Sequence, residues 1–393
     1  MAIARKIEDF IGKASWIRRM FEEGAELKRL HGAENVYDFS LGNPDVPPPA
    51  AFQRELTAAA AAEIPNKHNY MPNAGYPWVR ESLASYLSPQ QGVDLGPDHV
   101  IMTAGAGGAL NVIFKTILDP GDEVIVPAPC FVEYGFYVDN AGGVVRFVPT
   151  REDFSLDVSA VAAAMNQRTK AVLINSPNNP TGKVYDEKSL RDLAGVLADG
   201  SRTYGREIYL VADEPYRDIV YDGMEVPGIM ALYPETIVAS SYSKSLSLAG
   251  ERIGYIAVHP AAAEVGKLIA GLTLCNRILG FVNAPALMQR VVSRLQGVKV
   301  DVEVYRRKRD LLCDGLAAAG YEVRRPEGAF YLFQRVPGGD DVAYVRALQK
   351  RRILTVPGRG FMGEGYIRIA YCVDDAVIER SLDGFAATLR EFL

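Results

Sequence analysis

Five short apolar runs, each followed by a cluster of glycine, proline or polar residues, constrain the fold of this chain more than any other feature. The runs occupy residues 100–103, 124–126, 171–174, 208–211 and 237–239. Most are separated by segments long enough for a crossover helix, and continuously apolar strands are typical of a parallel sheet buried on both faces. We therefore predict an α/β fold with a mostly parallel central sheet and helices on both faces.

The clusters that follow these runs are expected to meet in space. Parallel strands present their carboxyl ends at one edge of the sheet, and ligands of such folds bind beyond that edge. The clusters occupy residues 104–108, 127–129, 175–182, 212–216 and 240–255. Side chains that are far apart in the sequence therefore form one predicted site.

After Asn283 the pattern changes to that of a smaller α+β unit. A charged helical pattern over 286–319, with a break, precedes a final helix and several strand-like segments, which are 322–324, 329–333, 353–356 and 366–371. Apolar residues at helical spacing near the N-terminus suit packing against this unit. We predict a large ligand-binding domain over 46–284 and a small domain built from 1–45 and 285–393.

Composition and charge exclude several classes of function. The 393 residues include 43 Lys and Arg against 48 Asp and Glu, a net charge of −5, so no basic field favours nucleic acid. The four cysteines show no CxxC spacing and the four histidines are dispersed, which argues against a metal site or a disulfide framework. The chain has no signal-peptide pattern and no apolar run near the ~18 residues of a membrane span. We predict a cytoplasmic protein.

The cluster over 240–255 surrounds one lysine, Lys244, with hydroxyls and places Arg252 eight residues later. A lysine with a lowered pKa attacks carbonyl groups, because only the neutral amine is a nucleophile. Hydroxyls such as that of Ser241 and an arginine suit a phosphate group. The combination suggests pyridoxal phosphate held as a Schiff base. Taken alone, the stretch also fits a polar loop with a solvated lysine.

The clusters that follow the other apolar runs contain residues that could bind the same cofactor. Asp213 could pair with a protonated ring nitrogen, although turns often contain such an acid. Tyr216 and Asn179 could hydrogen-bond a ring oxygen, with core packing and turn chemistry as the alternatives. Phe131 could stack on a ring face or belong to the core. The glycines at 105–108 open a helix whose N-terminus favours phosphate, or they serve a tight turn.

Arg368 lies within an apolar strand pattern over 366–371. A buried charge without a partner is costly. We therefore expect a carboxylate beside Arg368, supplied either by an Asp or Glu of the chain or by a substrate.

The motifs TAGAGG, SPNNPTG, VADEPY and SYSKSLSLAGERIG, followed by YIRIAY, occur in this order along the chain. Together they resemble the class I aminotransferases of the aspartate aminotransferase family, which depend on pyridoxal phosphate (PLP) and have fold type I. The resemblance runs from LGNPD at Leu41 to Arg368. It implies that 46–284 is the PLP-binding domain.

The resemblance also implies roles for individual residues. Lys244 resembles the lysine that holds the cofactor as a Schiff base and moves the substrate proton, and Asp213 the partner of the ring nitrogen. Asn179 and Tyr216 match the residues at the ring oxygen, and Phe131 takes the stacking place. The phosphate cradle corresponds to the amides of Ala106 and Gly107 together with Ser241 and Arg252, with Ser243 as a weaker candidate.

For the substrate, the resemblance implies that Arg368 binds the α-carboxylate, assisted by the main chain of Gly42 and by Asn179. Tyr70 resembles a tyrosine that reaches the phosphate from the neighbouring subunit, which implies a homodimer with shared active sites. Gly107 stands where some members that act on acidic substrates have a lysine. Arg277 is then a candidate cation for a distal carboxylate.

The expected function is transfer of an amino group from an L-amino acid, with aspartate or a related amino acid as candidate donor, to a 2-oxo acid such as 2-oxoglutarate. A β-eliminating C–S lyase on the same fold stays open as the alternative. A regulator that uses the fold as a sensing domain is disfavoured by the negative net charge.

Overall fold

The computed structural model describes residues 3–12 and 16–393. Helices occur throughout this part of the chain and are numbered here in sequence order. The first seven are α1 (Arg5–Gly12), α2 (Trp16–His31), α3 (Ala50–Ala61), α4 (Pro77–Gln91), α5 (Gly105–Ile117), α6 (Tyr134–Asn140) and α7 (Val158–Ala164). The others are α8 (Glu187–Tyr204), α9 (Tyr242–Ser245), α10 (Val265–Ile278), α11 (Ala286–Val292), α12 (Val302–Ala318), α13 (Asp341–Lys350) and α14 (Asp375–Phe392).

The strands of the described residues form three sheets. They are β1 (Tyr37–Asp38), β2 (Val100–Thr103), β3 (Glu123–Ala128), β4 (Val144–Pro149), β5 (Thr169–Asn175), β6 (Tyr209–Asp213), β7 (Thr236–Ser241), β8 (Gly254–Val258), β9 (Tyr331–Arg335), β10 (Ile353–Leu354), β11 (Val356–Pro357) and β12 (Tyr366–Ala370). The largest sheet has seven strands in the order β2-β8-β7-β6-β5-β3-β4. All but β8 run in the same direction, which confirms the predicted mostly parallel α/β fold.

Two strands of this sheet were not predicted. β4 lies at an edge and leaves Val144 and Phe147 exposed, so it lacks the continuous apolar run of a doubly buried strand. β8 follows the lysine cluster almost directly and pairs antiparallel with β2 and β7. A strand that returns antiparallel needs no long crossover, and the helix-separated pattern therefore does not mark it.

Helices cover both faces of the large sheet because its strands alternate between two hydrophobic clusters. Val172 of β5 and Leu210 of β6 pack in the cluster that includes Leu190 of α8. Their neighbours Leu173 and Val211 pack in the other cluster, with residues of α5 and α10. The alternation follows from the two-residue period of a strand.

The C-terminal part contains an antiparallel sheet in the order β11-β12-β9, and β10 pairs in parallel with β1. The predicted α+β character of this part is therefore present, and the N-terminal segment joins it. The segment 353–356, predicted as one strand, divides into β10 and β11 in different sheets. The segment 322–324 is outside the strands, so that prediction was wrong.

The division into domains at 45/46 and 284/285 stays a prediction. The break predicted within 286–319 separates α11 from α12. Met288 and Val291 of α11 pack in the cluster that also contains Leu83 of α4. At the other predicted boundary, Lys308 of α12 forms an ion pair with Asp45, and both residues belong to the predicted small domain. Within 3–12 and 16–393, none of the helices has both the length and the apolar character that a membrane-spanning helix needs.

Candidate active site

A cavity of about 310 Å³ lies at the carboxyl ends of the parallel strands, as the strand pattern predicted. Nearly all of the predicted site residues line it, namely Gly42, Ala106, Gly107, Phe131, Asn179, Asp213, Tyr216, Ser241, Lys244, Arg252 and Arg368. Ser243 also lines the cavity. The fold therefore brings together residues that are up to 326 positions apart (368 − 42).

Lys244 lies in the short helix α9, which begins directly after β7 and is capped by the Ser241 side chain. The Lys244 amine donates a 2.7 Å hydrogen bond to the main-chain oxygen of Gly42. It also lies over the rings of Phe330 and Tyr216, at 5.3 and 5.8 Å from their centres. Burial lowers the pKa of Lys244 to about 8, so a larger fraction of its amine is neutral near neutral pH than for an ordinary lysine.

Asp213 ends β6 and is 5% exposed. One carboxylate oxygen, Oδ2, accepts a 2.7 Å hydrogen bond from the Tyr134 hydroxyl. The other, Oδ1, is buried and has no hydrogen-bond partner within the described chain. Burial raises the pKa of Asp213 to about 7, against the effect of Tyr134, which lowers it. Oδ1 of Asp213 is therefore available to a hydrogen-bond donor on a bound molecule.

Asn179 and Asp213 are positioned by one side chain, Asn175, at the end of β5. The Asn175 amide donates to the main-chain oxygen of Asp213 at 2.8 Å, and its carbonyl oxygen accepts from the Asn179 N–H at 2.7 Å. Adjacent parallel strands place Asn175 and Asp213 side by side in the sheet register. Asn175 thus fixes the position of the cluster 175–182 relative to the cluster 212–216.

Arg368 lies in β12, is 2% exposed, and donates to Asn179 Oδ1 at 3.1 Å and to the main-chain oxygen of Ser40 at 2.7 Å. Its guanidinium carbon lies 4.7 Å from the ring centre of Tyr331 and 4.6 Å from that of Phe361. Burial lowers its pKa, and Nε has no partner within residues 3–12 and 16–393.

No Asp or Glu of the described chain forms an ion pair with Arg368, although a carboxylate was expected there. Of the two expected sources, a protein side chain is thus absent from this part of the chain. A carboxylate of a bound molecule would supply the missing charge and accept the hydrogen bond of Nε.

Tyr216 is buried and its hydroxyl lies 2.8 Å from that of Tyr331. Its ring packs edge-to-face against those of Phe330 and Tyr331. The position of Tyr331 also explains why residue 42 is a glycine. A Cβ at position 42 would lie 1.9 Å from the Tyr331 hydroxyl oxygen. These contacts close one wall of the cavity.

Another part of the cavity lining is suited to an anion. α5 begins at Gly105, so residues 105–108 open the helix, which is the first of the two predicted possibilities, and they leave free N–H groups at Ala106 and Gly107. The guanidinium of Arg252 lies against this turn, since a Cβ on Gly105 would be 2.8 Å from its Nη2. Arg252 donates to the main-chain oxygen of Ala249, and no ion pair involving it occurs in the described part of the chain.

Two aromatic residues near the start of α6 also line the cavity, Phe131 before the helix and Tyr137 within it. Phe131 packs edge-to-face against Tyr134, with ring centres 5.6 Å apart. Tyr137 has its hydroxyl 3.0 Å from the place where a Cβ on Gly107 would lie. Burial raises the pKa of Tyr137 to about 12, so this hydroxyl stays protonated.

Two of the predicted residues lie outside the cavity of their own chain. Tyr70 is 89% exposed and borders a separate surface hollow with Phe281 and Val282. Arg277 is exposed near the end of α10. Neither residue contributes to the cavity described above.

The residues missed by sequence reasoning are Tyr134, Tyr331 and Asn175, together with Tyr137. Asn175 ends a strand in register with Asp213, so the rule that placed the other clusters could have identified it. Tyr134 follows Phe131 by three residues, a spacing that brings side chains together where a helix begins. Tyr331 comes from a different sheet, and no local pattern points to it.

Known proteins resemble this chain over almost its whole length. A family model described as aminotransferase class I and II matches residues 33–385. A probable aspartate/prephenate aminotransferase of Thermus aquaticus is 36% identical over 375 residues, covering 93% of this chain and 94% of that protein. The aspartate/prephenate aminotransferase of Thermus thermophilus is also 36% identical, over 93% of both chains.

Solved structures agree with the sequence relatives. The crystal structure of an aminotransferase from Eubacterium rectale superposes with a TM-score of 0.96 at 37% identity, covering 100% of this chain and 99% of that one. Aspartate aminotransferase from Thermus thermophilus with maleate gives a TM-score of 0.88 at 31% identity, covering 99% and 100%. The β-eliminating lyase alternative has no support among these relatives. The chain is an enzyme that transfers amino groups, and it belongs to the class I and II aminotransferases.

Proposed function

We propose that this aminotransferase uses pyridoxal phosphate to move the amino group of aspartate, or of a related L-amino acid, to a 2-oxo acid such as 2-oxoglutarate. The two substrates react in turn at the same site, in ping-pong order. The observation that carries this proposal is the cavity itself, which contains both a lysine amine with a lowered pKa and a buried carboxylate oxygen of Asp213 without a partner in the described chain. The names of the relatives support the choice of donor.

The residues of the cavity fit this cofactor. Oδ1 of Asp213 would accept a hydrogen bond from the ring nitrogen, and a positive charge there would favour the ionised carboxylate. The first turn of α5, with Ser241 and Arg252, would hold the phosphate. Phe131 would pack on the ring face, and Tyr216 with Asn179 would hydrogen-bond the ring oxygen.

Pyridoxal phosphate supplies an aldehyde that accepts an amino group and a ring that delocalises the electrons released when a substrate loses its α-proton. Lys244 contributes the proton transfer. Its amine is partly neutral near neutral pH because burial lowers its pKa to about 8, so it can accept the α-proton and later return it. The main-chain oxygen of Gly42 directs the amine into the cavity by accepting its hydrogen bond.

Arg368 would bind the α-carboxylate, which supplies the negative charge that the described chain does not provide. Asn179 holds one nitrogen of the guanidinium at 3.1 Å, and the main chain at Ser40 holds the other at 2.7 Å. The guanidinium is therefore fixed before a substrate arrives, and orientation costs less entropy on binding.

The charges that line the cavity of one subunit do not specify which side chain the amino donor carries. Lys244, Arg252 and Arg368 are the cations that line the cavity in the described chain, and each has a proposed role. A side-chain carboxylate such as that of aspartate has no further cation within this lining. Neutral amino acids therefore belong in the substrate test beside aspartate.

We further propose that the protein is a homodimer and that Tyr70 reaches the phosphate site of the neighbouring subunit. The almost complete exposure of Tyr70 supports this proposal, as do the exposed apolar side chains of Trp78, Ile278 and Leu279. We retain the division into domains 46–284 and 1–45 with 285–393. The four cysteines are free and buried, which favours a reducing compartment such as the cytoplasm.

The proposed reaction is tested one half at a time. Single amino acids, including aspartate, alanine, phenylalanine and leucine, are added without an oxo acid to protein loaded with pyridoxal phosphate. We expect aspartate or a related donor to convert the cofactor to its pyridoxamine form, with release of the matching oxo acid. Pyruvate and ammonia with an unchanged cofactor spectrum would instead indicate a lyase and contradict the proposal.

The shared site is tested by mixing two inactive variants, Lys244→Ala and Tyr70→Ala. A hybrid dimer has one site with both residues intact, so we expect activity that neither parent shows. Sedimentation of the wild-type protein as a monomer, or no recovery in hybrids that have formed, would contradict the shared site.

A further inference from the structure

Tyr331 was not predicted as a site residue, yet it contacts two of the proposed subsites at once. It begins β9 and is 2% exposed. Its hydroxyl lies 2.8 Å from that of Tyr216, and its ring centre lies 4.7 Å from the guanidinium carbon of Arg368. One side chain therefore joins the residue proposed at the ring oxygen to the residue proposed at the α-carboxylate.

The main chain at Gly42 is packed against the same phenol. A Cβ at position 42 would lie 1.9 Å from the hydroxyl oxygen of Tyr331 and 2.6 Å from its Cζ. The oxygen of Gly42 accepts the hydrogen bond of Lys244. Because the interior is close-packed, a shift of Tyr331 also changes the position of this acceptor.

The direction of the hydrogen bond between the two phenols decides what Tyr216 can do. If Tyr331 donates, the proton of Tyr216 remains available for an acceptor in the cavity. A hydroxyl that accepts a hydrogen bond is also a stronger donor, because the two bonds polarise each other. Burial raises the pKa of Tyr331 to about 12, so it keeps the proton that it would donate.

We propose that Tyr331 is a positioning residue that donates its hydroxyl proton to Tyr216 and supports Arg368 on its ring face. This inference rests on the proposed function, which places the ring oxygen at Tyr216 and the α-carboxylate at Arg368. The two contributions are separable. The hydroxyl acts on Tyr216, and the ring acts on Arg368 through a cation–π contact.

Two variants separate these contributions. Tyr331→Phe removes the hydroxyl and keeps the ring, whereas Tyr331→Leu removes both. The matched control is Tyr344→Phe, because Tyr344 is also fully buried and its hydroxyl bonds a second phenol, that of Tyr321, outside the cavity. Circular dichroism establishes that each variant is folded before the other measurements.

Two measurements on protein loaded with pyridoxal phosphate report the effects. The first is the pH midpoint of the visible absorbance change, which reports how tightly the proton beside the ring oxygen is held. The second is the dissociation constant of 2-methylaspartate, which has an α-carboxylate but no α-proton and therefore binds without turnover. Neither measurement is a rate of catalysis.

In Tyr331→Phe, Tyr216 becomes a weaker donor to the ring oxygen. We therefore expect the pH midpoint to rise by roughly a few tenths of a unit, because the hydrogen bond from Tyr216 is weakened and not removed, with the affinity for 2-methylaspartate unchanged. Tyr331→Leu should show the same rise and also bind 2-methylaspartate about tenfold more weakly, because Arg368 loses its ring support. Tyr344→Phe should change neither quantity.

An unchanged midpoint in Tyr331→Phe, or an equal shift in Tyr344→Phe, would overturn the proposed role. A downward shift would also overturn it, because it would mean that Tyr216 donates to Tyr331. Equal affinity of Tyr331→Leu and Tyr331→Phe for 2-methylaspartate would contradict the proposal that the Tyr331 ring supports Arg368. If the wild-type protein shows no visible band with pyridoxal phosphate, the proposed function fails instead.

Discussion

Tyr134 donates a 2.7 Å hydrogen bond to Oδ2 of Asp213, while Oδ1 of the same carboxylate is buried without a partner in the described part of the chain. The two oxygens are thus unequal. Oδ2 is held by the protein, and Oδ1 is free to accept a hydrogen bond at a residue that lines the cavity. Tyr134 orients the carboxylate for a donor on a bound molecule, and this relationship leads to the first prediction.

Tyr134→Phe should weaken binding of pyridoxal phosphate by about tenfold, the effect of one hydrogen bond to a charged group. The Tyr134 hydroxyl lowers the pKa of Asp213, so its loss raises that pKa further above its ordinary value and leaves less of the ionised form. The dissociation constant is measured by equilibrium dialysis across a pH series. The loss of affinity should shrink as the pH rises and Asp213 ionises.

The control for this variant is Tyr204→Phe, whose hydroxyl donates to the main-chain oxygen of Met165 outside the cavity. It should bind the cofactor like the wild-type protein. A tenfold loss that is constant across the pH series would show that Tyr134 acts on packing and not on the charge of Asp213.

The amine of Lys244 should react with acetic anhydride in cofactor-free protein with a pH midpoint near 8, well below the ordinary 10.5 of a lysine. Only the neutral amine reacts, and burial favours the neutral form. Mass spectrometry of the peptide that contains Lys244 gives the labelled fraction at each pH. A midpoint near the ordinary value would contradict the lowered pKa.

Arg368→Lys should raise the KM of every α-carboxylate substrate by roughly a hundredfold, because an ammonium group cannot keep both hydrogen bonds of the guanidinium and still pair with a carboxylate. Steady-state kinetics with several donors provides the measurement. Arg307→Lys is the matched control, since Arg307 lies outside the cavity and pairs with Asp375. A loss confined to one donor would place Arg368 at the side-chain pocket instead.

Glu123 should make the stability of the protein depend on pH in the acid range. It begins β3 and is held by Arg146 of β4, by Arg168 and by the amide of Asn166. The hydrogen bond of Arg146, followed by those of Asn166 and Arg168, lowers the pKa of Glu123 from 4.5 to about 2. A lowered folded-state pKa stabilises the protein above the unfolded value, and this contribution is lost as the pH falls toward the folded value.

Glu123→Gln keeps the shape of the side chain and removes its charge. The wild-type protein should therefore be more stable than Glu123→Gln at neutral pH, and the difference should decrease below about pH 4.5. Thermal unfolding of both proteins at a series of pH values measures this difference. A difference that does not change with pH would mean that Glu123 contributes through packing alone.

Much of the fold followed from local patterns because each parallel strand is buried on both faces. The runs that became β2, β3, β5, β6 and β7 are continuously apolar, and burial between two helix layers requires this of them. Strands with another environment gave no such pattern. β4 is an edge strand, and β8 returns antiparallel without a crossover helix.

The composition of the cavity was predictable for the same reason. Lys244, Asp213 and Asn179 lie at or just after the carboxyl ends of neighbouring parallel strands, and the topology rule alone brings them to one edge. Their roles toward a cofactor came from the resemblance to a family, and these roles stay proposals. The role proposed for Tyr70 requires a second subunit, which sequence patterns within one chain do not describe.

The sequence by itself determined the α/β class, the edge at which the site lies and the residue types that meet there. Only the tertiary structure decided which atoms pair, because pairing depends on distances between separate elements. Tyr134 reaches Asp213 across 79 residues and Tyr331 reaches Tyr216 across 115. These contacts leave Oδ1 of Asp213 and Nε of Arg368 buried without a partner in the described chain, and no period or motif in the sequence encodes that selection.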